Sequence, residues 1–220
     1  MKIYSIHYNR PEYIQLQSQT LSSHMKIDYT FTIVDNSINP DTKSKIVEET
    51  QKLGLGYINC NNNIRHMSSE SHQNSFKYIL DDVSEGDVFM IIDHDIFLIG
   101  DLTEDYYTTH DMVFLEQWRG KVSYPWPGMI IFNGLTDKDM ISFNSGVVEG
   151  ESCDTGGSMY EYIKSRTQKH VREKYNNQGN LLSATLDGIF LHLISGSGWN
   201  DNYDLEGKLR ILSEKINQLQ

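Results

Sequence analysis

At 220 residues, 38% hydrophobic and 22% charged, the chain is long enough to bury one core and is not compositionally disordered. A formal net charge of −11 excludes a duplex-wrapping nucleic-acid binder, which needs a surplus of Lys and Arg on one face. Cys60 and Cys153 stand alone without CxxC spacing, which excludes a disulfide framework or a zinc knuckle, and no stretch approaches the roughly 18 apolar residues of a membrane span.

The apolar run at the N-terminus is too short for a signal peptide, so a soluble, cytoplasmic single domain is expected. The first half alternates short apolar runs with longer amphipathic ones, the pattern of a sheet with helices on its faces. Residues 2–6, KIYSI, read as a strand, and 10–24 as a helix with Pro11 in its first turn, where a missing N–H costs nothing. A second strand over 29–37, YTFTIVDNS, ends in turn residues. The helix over 39–56 starts near Asn39 or Asp41 and stops near Gly54 or Gly56. After a short strand at 55–60, segment 68–83 places Phe76, Ile79, Leu80 and Val83 three and four apart, one apolar helical stripe. Residues 87–92, DVFMII, lack alternation and predict a central strand buried on both faces.

Beyond residue 100 the rhythm changes. Residues 110–118 read as a strand, whereas YPWPGMIIFNG (124–134) and ISFNSGVVEGESCDTGG (141–157) are rich in Gly, Asn, Ser and aromatics. They predict a loop-bearing subregion suited to substrate contacts. Residues 158–175 predict a helix, 188–194 a strand, and 204–219 a closing amphipathic helix. No internal repeat or low-complexity linker is present.

The stretch FMIIDHDIFLI (89–99) sets Asp93, His94 and Asp95 inside an apolar run. Strand residues two apart share a side, so the two carboxylates converge if the backbone stays extended. Converging carboxylates repel unless a cation or proton sits between them. Their oxygens suit Mg²⁺ or Mn²⁺, which complete their shells with water and substrate phosphate. The C-terminal end of a buried strand is also where open α/β sheets hold ligands. The competing reading is a tight turn whose Asp side chains cap backbone N–H groups and face water. His94 points the other way and is expected to pack.

Several segments agree in order with one family. IHYNRPEYI (6–14), TIVDNS (32–37), SESHQNSFKYILDDVSEGDVFMIIDHDIF (69–97), FNSGV (143–147) and HLISGSGW (192–199) together resemble the nucleotide-diphosphosugar transferases of the GT-A type. The resemblance implies a Rossmann-like three-layer α/β/α sandwich with a mostly parallel central sheet, residues 1–100 forming a donor half and 101–220 an acceptor half. It implies metal-dependent transfer of a sugar from a nucleotide-diphosphate sugar, a UDP-sugar favoured, to a hydroxyl of a sugar or glycan acceptor. His7, Tyr8 and Arg10 would lie beside the nucleotide, Asp35 would accept a hydrogen bond from the base, and Arg65 would neutralise phosphate. Asp93 would sit near the ribose or the Mn²⁺ or Mg²⁺ ion, and Asp95 on that ion. The Lys-Pro-Trp ending common in the glycogenin-like group is here Ser197-Gly198-Trp199. Diphosphate charge would therefore fall to Arg65, the metal, or backbone N–H groups around Gly196 and Gly198, with Trp199 nearby.

In this setting His192, which shares a strand face with Phe190 and Ile194, is either a core histidine or a third metal ligand. Asp154 precedes Thr155-Gly156-Gly157 and a helix, so it either caps that helix or acts as the base on the acceptor side, with Glu151 in reserve. Trp118, Tyr124, Trp126 and Trp199 offer flat faces for sugar rings, and Trp126, between two prolines, is the one expected to meet a ligand. Stereochemistry and oligomeric state stay open. Two other classes compete. A haloacid dehalogenase-type phosphatase also uses DxD after an apolar strand, but Phe97 occupies the place where that chemistry wants Thr or Val. A catalytically silent nucleotide-sugar or carbohydrate binder would use the same fold.

Overall fold

The computed structural model describes residues 1–61, 68–178, 181–194 and 205–217. Strand β1 (Lys2–His7) leads through α1 (Glu12–His24), β2 (Thr30–Asp35), α2 (Pro40–Lys52), β3 (Gly56–Asn59) and α3 (Ser68–Asp82) to β4 (Phe89–Asp93). A turn at His94 and Asp95 separates β4 from β5 (Ile96–Leu98). The hairpin β6 (Met112–Arg119) and β7 (Val122–Phe132) follows, then the small hairpin β8 (Gly146–Val148) and β9 (Glu151–Cys153). Helix α4 (Tyr160–Lys164), β10 (Gln168–Val171), β11 (Glu173–Gln178), β12 (Leu181–Leu186), β13 (Phe190–His192) and α5 (Leu205–Asn217) complete the order. Asn39 caps α2, its Oδ1 accepting from the N–H groups of Asp41 and Thr42.

Seven strands form one sheet in the order β10-β6-β7-β4-β1-β2-β3. All run the same way except β7, which is antiparallel to both neighbours. The run β3-β2-β1-β4 is the doubly wound order, so the topological switch point lies between β1 and β4. A second, antiparallel sheet has the order β11-β12-β13-β5.

Alternate residues of the central strands sort into two cores. Ile3, Met90 and Ile92 meet Ile14 and Leu21 of α1, Ile46 of α2, and Leu98 and Phe190 of the second sheet. Tyr4, Ile6, Phe89 and Ile91 meet Phe76 and Ile79 of α3 and Tyr162 and Ile163 of α4. The three-layer α/β/α architecture with a mostly parallel central sheet, expected from the sequence, is therefore present. The outer face of the second sheet, with Phe97, Leu191 and Leu193, is closed by Ile211 and Leu212 of α5. No helix among the described residues is long and apolar enough to cross a membrane.

The structure corrects three expectations. The backbone does not stay extended through 93–95; it turns there and passes from the first sheet to the second. Segment 124–134 is mostly strand β7 rather than loop. Its pairing with β6 jumps from Phe114↔Ile130 to Glu116↔Pro125, so Trp126 to Met129 form a bulge opposite Leu115, the place in a sheet where prolines without N–H donors are tolerated. Segment 158–175 is not one helix. The chain leaves α4 at Ser165 and returns as edge strand β10, pinned to the start of β6 where the Thr167 N–H and hydroxyl donate to Asp111 Oδ2 at 2.7 and 2.9 Å. Edge strands carry polar residues toward solvent, which erases the alternation that marks a half-buried strand.

At the bulge, Trp126 folds back over Gly128: a Cβ added there would lie 2.3 Å from the indole Cη2. Gly128→Ala is expected to destabilise the protein by about 2 kcal/mol and to displace Trp126. Chemical denaturation and a shift in tryptophan emission would read the two effects.

Candidate active site

The crevice at the switch point is organised by Gln17, on the apolar stripe of α1 between Tyr13 and Leu21 and fully buried. Its Nε2 donates to the carbonyls of Asp93 and Ile96, at 2.9 and 2.8 Å. Its Oε1 accepts from Ser5 Oγ at 2.8 Å and faces His7 Nε2 at 3.1 Å. One amide thus ties the end of β1 to both ends of the Asp93–Ile96 turn. His94, 3% exposed, is held by the same frame: its N–H and Nδ1 both reach Ile6 O at 3.1 Å, and its ring stacks on Tyr13. The loops after β1 and β2 are stitched together as well, Asn36 N–H donating to His7 O and Asn9 N–H to Ser37 Oγ. Asn9 sits at φ 53°, a left-handed conformation that Asn tolerates better than most side chains.

His7 is fully buried with an acceptor on each side, Gln17 Oε1 and Arg10 O. A neutral ring carries one N–H and serves only one of them at a time. Burial, aided by the neighbouring His94 charge, outweighs the pull of those acceptors and of Asp93 and pushes the imidazole down to about 3.

Each acid of the turn faces a histidine. Asp93 ends β4 beside Ile6, and its Oδ1 lies 3.1 Å from Nε2 of His72 on α3. Burial alone would raise the Asp93 carboxyl. The charge and hydrogen bond of His72, with the charges of His94 and His192, outweigh it and hold the group below the usual carboxylate range. Asp95, 4% exposed, has Oδ2 3.9 Å from Nε2 of His192 on β13, and its carbonyl accepts from Leu193 N–H. His192 packs against Trp126, ring centroids 4.9 Å apart, and its Nδ1 is buried with no hydrogen-bond partner among the described residues. Two carboxylates and an imidazole suit Mn²⁺ in donor type. Among the described residues, however, no group of three or more such side chains is gathered closely enough to hold an ion by itself. Phosphate and water oxygens would have to complete any shell.

From His192 a cleft of about 340 Å³ opens between the hairpin β6–β7 and the second sheet, with Glu116, Gln117, Trp126, Glu173 and Tyr175 on its walls. Asp154 sits behind that wall. Its oxygens accept from Gln117 Nε2 (3.0 Å to each), Tyr124 Oη (2.8 Å) and Arg119 Nη2 (2.7 Å). It caps no helix: the short helical turn after it begins at Gly157, with Gly156 at its N-cap and no side-chain cap. Glu151 lies at the hairpin tip against Gly120, where a Cβ would approach its carboxylate to 2.4 Å. A larger hollow of about 900 Å³, with Met1, Lys26, Asp28 and Tyr107 on its walls, opens at the opposite end of the strands, away from the acids.

Of the other residues singled out in the sequence, Asp35 is fully buried, Oδ1 accepting from Ser37 N–H and Oδ2 from Tyr57 Oη. Tyr8 and Arg10 are half-buried on the β1–α1 loop. Arg65, Gly196, Gly198 and Trp199 lie outside the described residues. Gln17 and His72 escaped the sequence reading. Each left a faint signal: Gln17 is a polar residue at the centre of a Tyr13/Leu21 stripe, and His72 stands four before Phe76, whose ring it meets at 5.0 Å.

No family model matches the chain, and no curated protein matches it. Solved structures of glycosyltransferases do resemble it at a distance. The galactosyltransferase LgtC, in complex with donor and acceptor sugar analogs, is 15% identical over 60% of this chain and 58% of its own, with a TM-score of 0.41. TarS of S. aureus, residues 1–349 in complex with UDP, is 16% identical over 64% of this chain and 49% of its own, with a TM-score of 0.46. The mannosyltransferase PcManGT of Pyrobaculum calidifontis, in complex with GDP-Man and Mn²⁺, is 10% identical over 77% and 53%, also with a TM-score of 0.46. The chain thus spans about half the length of these neighbours, and identity and TM-score are too low to place it in a family.

Two outcomes are expected from the frame. Gln17→Leu leaves two buried carbonyls and the Ser5 hydroxyl without their partner and should cost about 3 kcal/mol of unfolding free energy, measured by urea denaturation. For His7, the unfolded chain takes up a proton near pH 6.5 that the folded state refuses until about pH 3. Stability should therefore fall as pH drops through that window, at roughly 1.4 kcal/mol per pH unit. Between pH 6.5 and 5 a His7→Gln variant should lose about 2 kcal/mol less than the parent.

Proposed function

We propose that the protein is a glycosyltransferase that moves a sugar from a nucleoside-diphosphate sugar, a UDP-sugar favoured, to a hydroxyl of a sugar or glycan. The observation that carries this reading is the pair Asp93 and Asp95, clamped by Gln17 at the switch point between β1 and β4 and each facing an imidazole. Open α/β sheets bind their ligands outside the carboxyl ends of strands at this position. A carboxylate that is 4% exposed, as Asp95 is, needs a cation or a proton beside it.

In this reading Asp93, Asp95 and His192 hold a Mn²⁺ or Mg²⁺ ion together with donor phosphate oxygens. Bound there, the ion would stabilise the charge that develops on the departing nucleoside diphosphate. His72 keeps Asp93 ionised. Tyr8 and Arg10, on the loop after β1, would meet the nucleotide. Asp35 would support that loop rather than read the base directly, since both its oxygens are engaged and buried. The acceptor would enter the cleft beside His192. Asp154, bound by Arg119, Tyr124 and Gln117, would position Gln117 on the cleft wall. To serve as the base it would have to release one of those donors, and Glu151 would have to reach in from the hairpin tip.

The engagement of Asp154 favours a second reading, a nucleotide-sugar binder without turnover. A donor-hydrolysis screen with UDP- and GDP-sugars, with Mn²⁺ or Mg²⁺ and with chelator, separates the two. Hydrolysis is expected, lost with chelator and lowered on the order of 100-fold or more in Asp95→Asn. Nucleotide-sugar binding without hydrolysis selects the second reading. Turnover indifferent to chelator removes the metal, and no binding of any nucleotide sugar removes both readings.

A further inference from the structure

The cleft beside His192 has features that the donor site does not explain. Four large hydrophobic side chains stand exposed among the described residues, and two of them, Trp118 at 58% and Tyr175 at 61%, are on this cleft. Trp126 adds a third aromatic face deeper in. Two buried polar atoms without a partner among the described residues, Gln117 Oε1 and His192 Nδ1, also belong to its walls. Aromatic faces on a wall that also carries unsatisfied polar atoms suit a ligand with C–H faces and hydroxyl edges. The volume of about 340 Å³ falls within the range of small-ligand sites, roughly 300–1,000 Å³.

The charge on the walls is one-sided. None of the nine residues lining the cleft is Lys or Arg. Glu116 is paired, its Oε2 3.3 Å from His170 Nδ1, whereas Glu173 makes no ion pair among the described residues and meets the hydroxyl of Tyr175 on the same wall. His192, the one histidine among the described wall residues, is turned toward Asp95. An anionic group entering this half-enclosed space would meet Glu173 with no Lys or Arg among the described wall residues to offset it, in a chain of net charge −11.

We infer that this cleft takes the acceptor as a sugar without negative charge, neutral or amino-bearing, and that Glu173 is the residue that turns away glycans carrying carboxylate, sulfate or phosphate. The inference rests on the reading of the crevice as a donor site, and it deepens that reading by fixing the acceptor's charge class. Rejection through Glu173 is a matter of specificity: unfavourable contact with the wrong ligand does as much as favourable contact with the right one.

The test needs no donor. The purified chain is applied to a glycan array bearing neutral, amino-sugar, uronic-acid, sialylated and phosphorylated termini. Binding is expected on neutral and amino-sugar termini, at least tenfold tighter than on their anionic counterparts, which is about 1.4 kcal/mol. Trp118→Ala and Tyr175→Ala should each weaken it, and Glu173→Lys, with an unchanged melting curve, should move the preference toward anionic glycans by tenfold or more. Tighter binding of anionic termini by the parent, unchanged selectivity in Glu173→Lys, or no binding to any class overturns the inference. Because nucleotide sugar is absent, a chain that hydrolyses donors yet prefers anionic glycans loses this inference alone. A chain that binds neutral glycans but no nucleotide sugar loses the donor reading alone.

Discussion

The side-chain amide of Gln17 has two N–H donors and an oxygen with two lone pairs, and every one of them is directed to a different part of the crevice. The two carbonyls it donates to belong to Asp93 and Ile96, so the turn that aims the acids is fixed from behind by a residue on another element. Because those carbonyls require donors, the amide cannot be flipped without setting oxygen against oxygen. That orientation in turn decides which atom faces His7. A buried network of this kind restricts the arrangement, since flipping the amide would strand two carbonyls in the core.

The same turn is a joint between two sheets. β4 belongs to the large, mostly parallel sheet and β5, two residues later, to the small antiparallel one. Ile92 and Ile96 enter the same core on either side of the joint, while Phe97 faces the opposite side of the small sheet. Asp93 and Asp95 therefore emerge from a hinge whose flanks are both packed. The second sheet also brings β13, and with it His192, against Asp95. Without it the crevice would have acids on one wall only.

Electrostatics and geometry meet at the two carboxylate–imidazole contacts. An acidic chain that places carboxylates at the end of a buried strand must offset their repulsion and their loss of hydration. Here the offset is local: His72 from α3 for Asp93 and His192 from β13 for Asp95. On the far wall Arg119 does for Asp154 what no histidine could, a charge pair that persists at any ordinary pH.

The sequence by itself determined the first half of the fold. Strands β1, β2 and β4 and helices α1, α2 and α3 are visible as apolar runs and stripes, because residues buried on a sheet's face or under a helix must be apolar at period 2 or 3.6. The same logic singled out Asp93 and Asp95, since charges are costly in such a run. The second half was far less legible. The bulge that lets Pro125 and Pro127 sit in β7, the polar edge strand β10, and the short strands β5, β8 and β9 leave no periodicity long enough to read. Only the tertiary structure decided that 93–95 is a turn between two sheets, that Gln17 and His72 hold it, and that Asp35 and Asp154 spend their oxygens on neighbours. Hydrogen-bond partners 30 or 80 residues apart are set by packing, and packing is a property of the whole chain rather than of any window in it.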